Sequence, residues 1–497
     1  MLLTESGVGS FDTIVRGGTV VTASDTVRCD VGIAGGRIVA LAEHLEGAPE
    51  IIDANGLLVL PGGIDSHCHV DQRSFAGGYS ADTWESGTRS ALAGGTTTII
   101  PFAAQFKGKS LRETVDAYRA LAEGQAYSDY AIHMIVSDPT PKVIDEELPG
   151  LVADGYSSVK IYLTYEALKL SDFQALDLLA AARREGAITM VHAENHDVIA
   201  WLTQRLEEAG HILPHFHRVA HADIAESEAA LRAVTLAEVA DAPILIVHVS
   251  IKDAIDTIRH ARSRGLRVYS ETCPQYLFLT EDDLIASGWE GAKCMCSPPP
   301  RSAANQEVVW SGLVDGTFDV FSSDHAAFRF DGETGKFVGG FNEETARFRN
   351  IANGIPGLEL RLPLLFSEGV MKGRISLNRF VDLAATQASK IYGLYPRKGT
   401  IAVGADADLV LWDKALTRTV GLSMLHDNSD FTPYAGRTLT GWPVRSLVRG
   451  RTVFLDGEVC GERGFGRFLK CDRPAPAQPA GRPIHGFEPA TGVFRGW

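Results

Sequence analysis

Pro61-Gly62-Gly63-Ile64-Asp65-Ser66-His67-Cys68-His69-Val70-Asp71 is the stretch on which the reading of this chain turns. Residues 63–69 read as a short buried strand that ends in two histidines two positions apart. Successive side chains of a strand alternate between faces, so His67 and His69 share a face and can reach one cation. Ligand-type residues at the C-terminal end of a strand are what an α/β barrel places in its active site. The test is whether other strands end the same way.

From Pro61 to about Lys390, apolar runs alternate with longer stretches rich in Ala, Leu, Glu and Arg, the signature of repeated βα units around a parallel sheet. Eight candidate strands fall at 63–69, 96–102, 130–136, 158–163, 188–192, 244–249, 266–270 and 318–323. Runs such as Ile244-Leu245-Ile246-Val247 are continuously apolar, as in strands covered on both faces. Eight such units favour a closed (β/α)₈ TIM-like barrel over an open doubly wound sheet. The fourth strand holds Lys160, the fifth ends in His192, the sixth in His248, and the eighth runs into Asp324.

Neutral imidazole and carboxylate suit zinc, manganese or cobalt. Four histidines and one aspartate are enough for two cations, which at a separation of about 3.5–4 Å need an anionic bridge. A lysine ammonium would repel them, so Lys160 belongs there only as its carbamate, formed with carbon dioxide. Singly, each residue has an ordinary alternative: a polar core histidine, an N-cap aspartate, a lysine snorkelling from the rim. Jointly, five of eight strands ending in metal-competent residues point to a metal centre.

Both ends of the chain read differently. Short β-type runs with glycine turns occupy 12–60, and a similar texture returns in Ala407-Asp408-Leu409-Val410-Leu411-Trp412 and Thr452-Val453-Phe454-Leu455. The expected organisation is a small β-sandwich built from 1–60 and 396–470, a barrel at 61–395, and a Pro-rich tail at 471–497. That tail is expected to be disordered or to lie as an arm on a neighbouring subunit.

The formal net charge of -15 over 497 residues argues against nucleic acid or an anionic membrane as partner. No apolar run is long enough to span a bilayer, and Met1 to Ser10 lacks the pattern of a secretory signal, so a cytoplasmic location is expected. Seven scattered cysteines without a CxxC pair read as reduced thiols, with Cys294 and Cys296 as buried small hydrophobes. His211, His215, His217 and His221 read as surface or interhelical packing. His196 sits where it can shape a pocket, and His325, by alternation, should point away from the metals.

These residues resemble the dihydropyrimidinase/D-hydantoinase branch of the amidohydrolase superfamily. The likeness covers about residues 12–470 and rests on the opening stretch above, Gly94-Gly95-Thr96-Thr97, Val159-Lys160-Ile161-Tyr162-Leu163-Thr164-Tyr165, Cys273-Pro274-Gln275-Tyr276-Leu277, Ser297-Pro298-Pro299, Ser322-Ser323-Asp324-His325 and Asn353-Gly354-Ile355-Pro356-Gly357. The late stretch Gly404-Ala405-Asp406-Ala407-Asp408-Leu409-Val410 fits too. The resemblance implies His67, His69, Lys160 and Asp324 on one zinc, with carbamylated Lys160, His192 and His248 on the other. It adds Tyr165 as a hydroxyl donor to the substrate carbonyl, and Ser297 and Asn353 as partners of the ring's amide edge. It also implies a homotetramer, or a homodimer.

The expected activity is hydrolytic opening of dihydropyrimidines, hydantoins or cyclic imides by a metal-bridging hydroxide, with Asp324 as base and then acid. Allantoinase and dihydroorotase are the rivals within enzymes; dihydroorotases typically carry an arginine where this chain has Asp71. The rival of another class is a non-catalytic dihydropyrimidinase-related scaffold, which loses metal ligands that this chain keeps. Departures at Gln72-Arg73-Ser74-Phe75-Ala76-Gly77-Gly78-Tyr79-Ser80, Pro101, Glu166-Ala167-Leu168-Lys169-Leu170 and Ala326 leave the ring's substituent open.

Overall fold

A computed structural model describes residues 11–74, 77–285, 288–482, 486–488 and 491–496. The expectation for Met1 to Ser10, loop positions Phe75 and Ala76, and the final Trp497 lie outside these residues.

The predicted strands form, most of them shorter than the sequence suggests, although Ile188–His192 keeps its predicted length and the seventh shifts to Val268–Thr272. Parallel pairing runs from Gly63–Asp65 to Thr96–Ile99 to Asp129–Tyr130. It continues through Phe102–Ala104, His133–Ile135, Ser158–Tyr162, Ile188–His192, Ile244–Ile246, Val268–Thr272 and Val320–Phe321 in one seven-stranded sheet. A parallel bridge between Cys68 and His325, with the His69 amide donating to the His325 carbonyl at 2.6 Å, joins the last strand to the first. The curled sheet fits a TIM-like barrel. The first strand stops at Asp65, so His67 and His69 stand just beyond it rather than within it. They still flank a fully buried Cys68.

Alternation sorts the barrel. Leu245 and Val247 pack inside with Ile188, Met190 and Tyr162, whereas Ile244, Ile246, Val159 and Ile161 pack outward against the helices. The same parity places Lys160 beside Tyr162, and His192 beyond Ile188 and Met190, on the inner face.

Strands from both ends of the chain share a sheet. Thr19–Val21, Thr26–Arg28 and Leu58–Pro61 share a sheet with Leu409–Thr419, Thr438–Val448, Arg451–Leu455 and Glu458–Val459. A second sheet holds Thr13–Arg16, Asp30–Ala34, Arg37–Ala42 and Glu50–Asp53. The Gly404 to Val410 stretch has a physical role at this junction. Lys398, buried, contacts Asp129, Asp406 and Asp408 at 2.7, 3.2 and 2.6 Å. Asp408 also accepts from Thr97 of the second barrel strand and from the Arg449 amide. Ionic groups this deep hold only when each has a partner, and removing one costs about 3–5 kcal/mol.

Phe468 and Leu469, which lead into the tail, and the described part of the tail itself contact their own chain. Leu469 donates its amide to the Tyr130 carbonyl at 2.7 Å, and Phe468 packs on Tyr156. The amides of Ala480, Gly481 and Arg482 converge on the Asp241 carboxylate. Its regular structure is one 3-10 turn at Ala475–Ala477 and a short ladder of Phe487–Glu488 with Val493–Phe494. All seven cysteines are unpaired thiols. Among the described residues, no helix is long and apolar enough to cross a membrane.

Candidate active site

The strand ends bring all six proposed ligands to one place. Lys160 Nζ lies 2.7 Å from His67 Nε2. Asp324 Oδ1 lies 3.2 Å from His67 Nε2 and 3.6 Å from His69 Nε2. On the other side, His248 Nε2 lies 2.9 Å from His192 Nδ1, and the His67 and His248 rings are 5.5 Å apart. Among the described residues, His67, His69 and Asp324 present ligand atoms within 4.8 Å of one another.

Two of these residues reach the site through strained backbone. Val247 faces inward, so continued alternation would turn His248 out. A left-handed φ of 40° at His248 turns it back. Asp324 and Tyr165 have φ of 47° and 64°. Non-glycine residues in this region cost about 1–3 kcal/mol each and persist where the surroundings over-determine them, commonly at functional sites.

The outer nitrogens of three histidines are tied. His67 Nδ1 donates to Glu271 Oε1 at 2.6 Å, His69 Nδ1 to Gln72 Oε1 at 2.7 Å, and His192 Nε2 to Glu194 Oε2 at 2.8 Å. Each bond leaves the other nitrogen's lone pair facing inward, the usual support of a metal-ligating imidazole. Gln72 is itself oriented by giving its amide to the Phe102 carbonyl.

Burial keeps the His67 and His248 imidazoles well below their ordinary pKa, and that of His192 is lowered as well. All three are therefore neutral donors. Burial also brings Lys160 down to about 8, against the pull of Asp324 and Glu271. Its ammonium sits over the Phe102 and Tyr162 rings at 4.4 and 5.1 Å. Burial would raise Asp324, but His67 and His69 outweigh it and hold the carboxyl below its usual range.

Above this floor opens a cavity of about 390 Å³, walled by Tyr165, Leu168, Ser297, Phe328, Ile351 and Asn353. Tyr165 lies beside the side chains of Ser297 and Asn353, and burial pushes its phenol up so that it stays protonated. The Asn353 Oδ1 atom is buried without a hydrogen-bond partner. Arg73, Glu166 and Arg349 line the mouth. Asp71 is engaged elsewhere, accepting from the Trp84 amide at 2.7 Å at the start of the helix Trp84–Ala93.

The remaining histidines divide. His325 points away as expected, with Nε2 3.0 Å from Asp82 Oδ2. His196 contacts Glu166 at 3.0 Å, behind the pocket wall. His211 and His215 stack on Phe216. His217 and His221 do not fit the packing expectation, because both are buried in the site's support. His221 Nδ1 lies 2.8 Å from Glu194 Oε1, and His217 Nε2 lies 2.9 Å from the Cys296 carbonyl and 3.3 Å from Ser297 Oγ.

Sequence reasoning missed Glu271, Glu194 and Gln72 as well. Glu271 lies within the seventh strand, Val268–Thr272, and the strand-end test applied to the other strands would have found it. Glu194 follows His192 by two positions, so alternation was its signal. Gln72 carried none, since its role depends on where Phe102 lies.

Comparison with known proteins agrees with this geometry. Residues 58–453 match the amidohydrolase family. The D-hydantoinase of Geobacillus stearothermophilus is 42% identical over 462 residues, covering 92% of this chain and 96% of that protein. A D-phenylhydantoinase of Escherichia coli is 38% identical over 463 residues, covering 92% and 97%. The crystal structure of dihydropyrimidinase from Brevibacillus agri superposes with a TM-score of 0.90 at 41% identity, covering 93% of this chain and 99% of the other. With a matching family over most of its length, and relatives that share both its sequence and its fold, the chain belongs to the amidohydrolase family, in its D-hydantoinase/dihydropyrimidinase branch.

Proposed function

We propose that this chain hydrolyses the C–N bond of uncharged cyclic amides, opening dihydropyrimidines, hydantoins or cyclic imides to N-carbamoyl amino acids or half-amides. One observation carries the reading: His67, His69, Lys160, His192, His248 and Asp324 converge beneath a cavity whose wall presents Tyr165, Ser297 and Asn353. The donor set fits two divalent cations, with zinc preferred and manganese or cobalt suited to the same ligands. The imidazoles of His67, His192 and His248 are neutral, the aspartate is ionised, and Lys160, with a pKa of about 8, has an accessible free-amine form. That amine bonds to the carbon of carbon dioxide and releases a proton, giving an anionic N6-carboxylysine in place of a repelling ammonium. Bound there, the cations would supply a water of pKa around 7 and polarise the ring carbonyl.

The protein groups then have defined work. Asp324 takes the proton of the attacking water and gives it to the ring nitrogen as the C–N bond breaks. Tyr165 donates its hydroxyl to the oxygen of the tetrahedral intermediate, and Ser297 and Asn353 hold the ring's amide edge. Asp71, committed to the Trp84 amide, offers no grip for a carboxylate, which favours uncharged rings over dihydroorotate. We also propose the division into a sandwich of 1–60 and 396–470, a barrel of 61–395 and a tail of 471–497. Family membership supports a homotetramer or homodimer, the net charge of -15 supports an enzyme without nucleic-acid partners, and the proposed location is the cytoplasm.

The test is turnover of dihydrouracil, 5-substituted hydantoins, cyclic imides, allantoin and dihydroorotate by metal-loaded protein. Opening of the uncharged rings supports the assignment; inactivity on every ring with two metals bound removes it. Tyr165→Phe should lower kcat by about 10²–10³, the cost of one oxyanion donor. Metal content should be unchanged in that variant, as measured by elemental analysis, because Tyr165 is outside the ligand set.

A further inference from the structure

Lys336 is fully buried, yet among the described residues no carboxylate pairs with it. Its Nζ donates to the carbonyls of Met295 at 2.9 Å and Ala352 at 3.1 Å. Met295 and Phe337, its sequence neighbour, belong to one buried apolar cluster with Phe348 and Ile351. Burial brings its pKa down to about 7, with Cys296 and Cys294 opposing. An ammonium without a counter-ion in such surroundings is costly, and a methionine or leucine would fill the same volume without that cost.

The two carbonyls it grips explain the choice. Met295 lies two residues before Ser297, and Ala352 directly precedes Asn353. These segments come from distant parts of the chain. Besides Lys336, they meet through the Gly354 amide, which donates to the Met295 carbonyl at 3.0 Å, and Ala352 is held by its own amide on the Lys336 carbonyl at 2.9 Å. His217 holds the next carbonyl, that of Cys296, at 2.9 Å. Across the gap the two segments present Ser297, Asn353 with its partnerless buried Oδ1, and the Tyr165 hydroxyl between them.

We propose that Lys336 is a positioning residue for substrate binding: by clamping the Met295 to Ser297 and Ala352 to Asn353 segments together, it sets the spacing that receives the ring's amide edge. This rests on the cyclic-amide reading and deepens it. Lys336 touches neither the reacting atoms nor any proposed metal ligand, so its loss should act on binding and leave the chemistry and the metals in place.

Steady-state kinetics of Lys336→Met and Lys336→Gln on hydantoin and dihydrouracil, with metal content per chain, test it. KM does not depend on how much of a preparation is folded, so a variant recovered in low yield still answers. Lys336→Met should raise KM about tenfold or more with kcat within about threefold of wild type. Metal content should not change. Lys336→Gln, which keeps two N–H donors on a shorter arm, should recover part of the loss. An unmoved KM in both variants overturns the clamp while leaving the enzyme assignment intact, as does failure of both to fold, which would make Lys336 a stability residue. A wild type that opens none of these rings removes the cyclic-amide assignment itself and the clamp with it.

Discussion

Lys160→Ala should abolish ring opening, lowering kcat/KM by about 10³ or more, because on the proposed reading it removes the carbamate that would bridge two cations. The fully buried Nζ sits 2.7 Å from His67 Nε2, so alanine leaves a space that water fills without supplying a fixed negative charge. Two consequences separate this from simple unfolding. Metal content per chain should fall below two, and a short carboxylate added to the variant should restore part of both metal and activity by occupying the vacated space. Intact-mass measurement of gently handled wild type should show one added carbon dioxide, absent from the variant. A variant that keeps two metals and its turnover would sink the carbamate bridge.

Asp324→Asn should lower kcat by about 10²–10⁴, the range for loss of a positioned general acid–base. The replacement keeps the shape of the side chain and removes its charge and its basicity. In the wild type His67 and His69 hold the carboxyl below its ordinary range, so the base is ionised at neutral pH. Its contribution is lost as pH falls through that lowered pKa and persists as pH rises. The acid limb of the kcat/KM profile should therefore lie below the usual carboxylate range in the wild type and be missing from residual asparagine activity. Near-wild-type kcat in Asp324→Asn would assign the proton transfer to another group.

Much of this site was legible without coordinates, for a reason visible in particular residues. Lys160 and His192 lie on the inner-face parity of their strands, shared with Tyr162, Ile188 and Met190. A period of two is a local property that survives folding unchanged. Strand lengths were over-read, because the ladder breaks where backbone turns toward the site: 63–69 became Gly63–Asp65 and 318–323 became Val320–Phe321. His248 was singled out as a strand end, and alternation by itself would not bring it to the site. Alternation from Val247 would face it outward, and its left-handed φ of 40° brings it in.

The supporting groups were not legible from local pattern. His217 and His221 look like part of a surface histidine run until the helix Phe216–Ala220 lies against Glu194 and Cys296. Lys336 carries no local signal, and its role depends on the Met295 and Ala352 carbonyls that close over it.

The sequence by itself therefore determined the repeated strand–helix order, the candidate ligands and the face each strand shows, since these follow from alternation and residue chemistry within a few positions. Tertiary structure alone decided which nitrogen of each imidazole faces inward, that Lys336 grips backbone, and where Asp71 spends its charge. Each of those depends on a partner brought near by folding, and hydrogen bonding and desolvation act over a few ångströms of space whatever the separation along the chain.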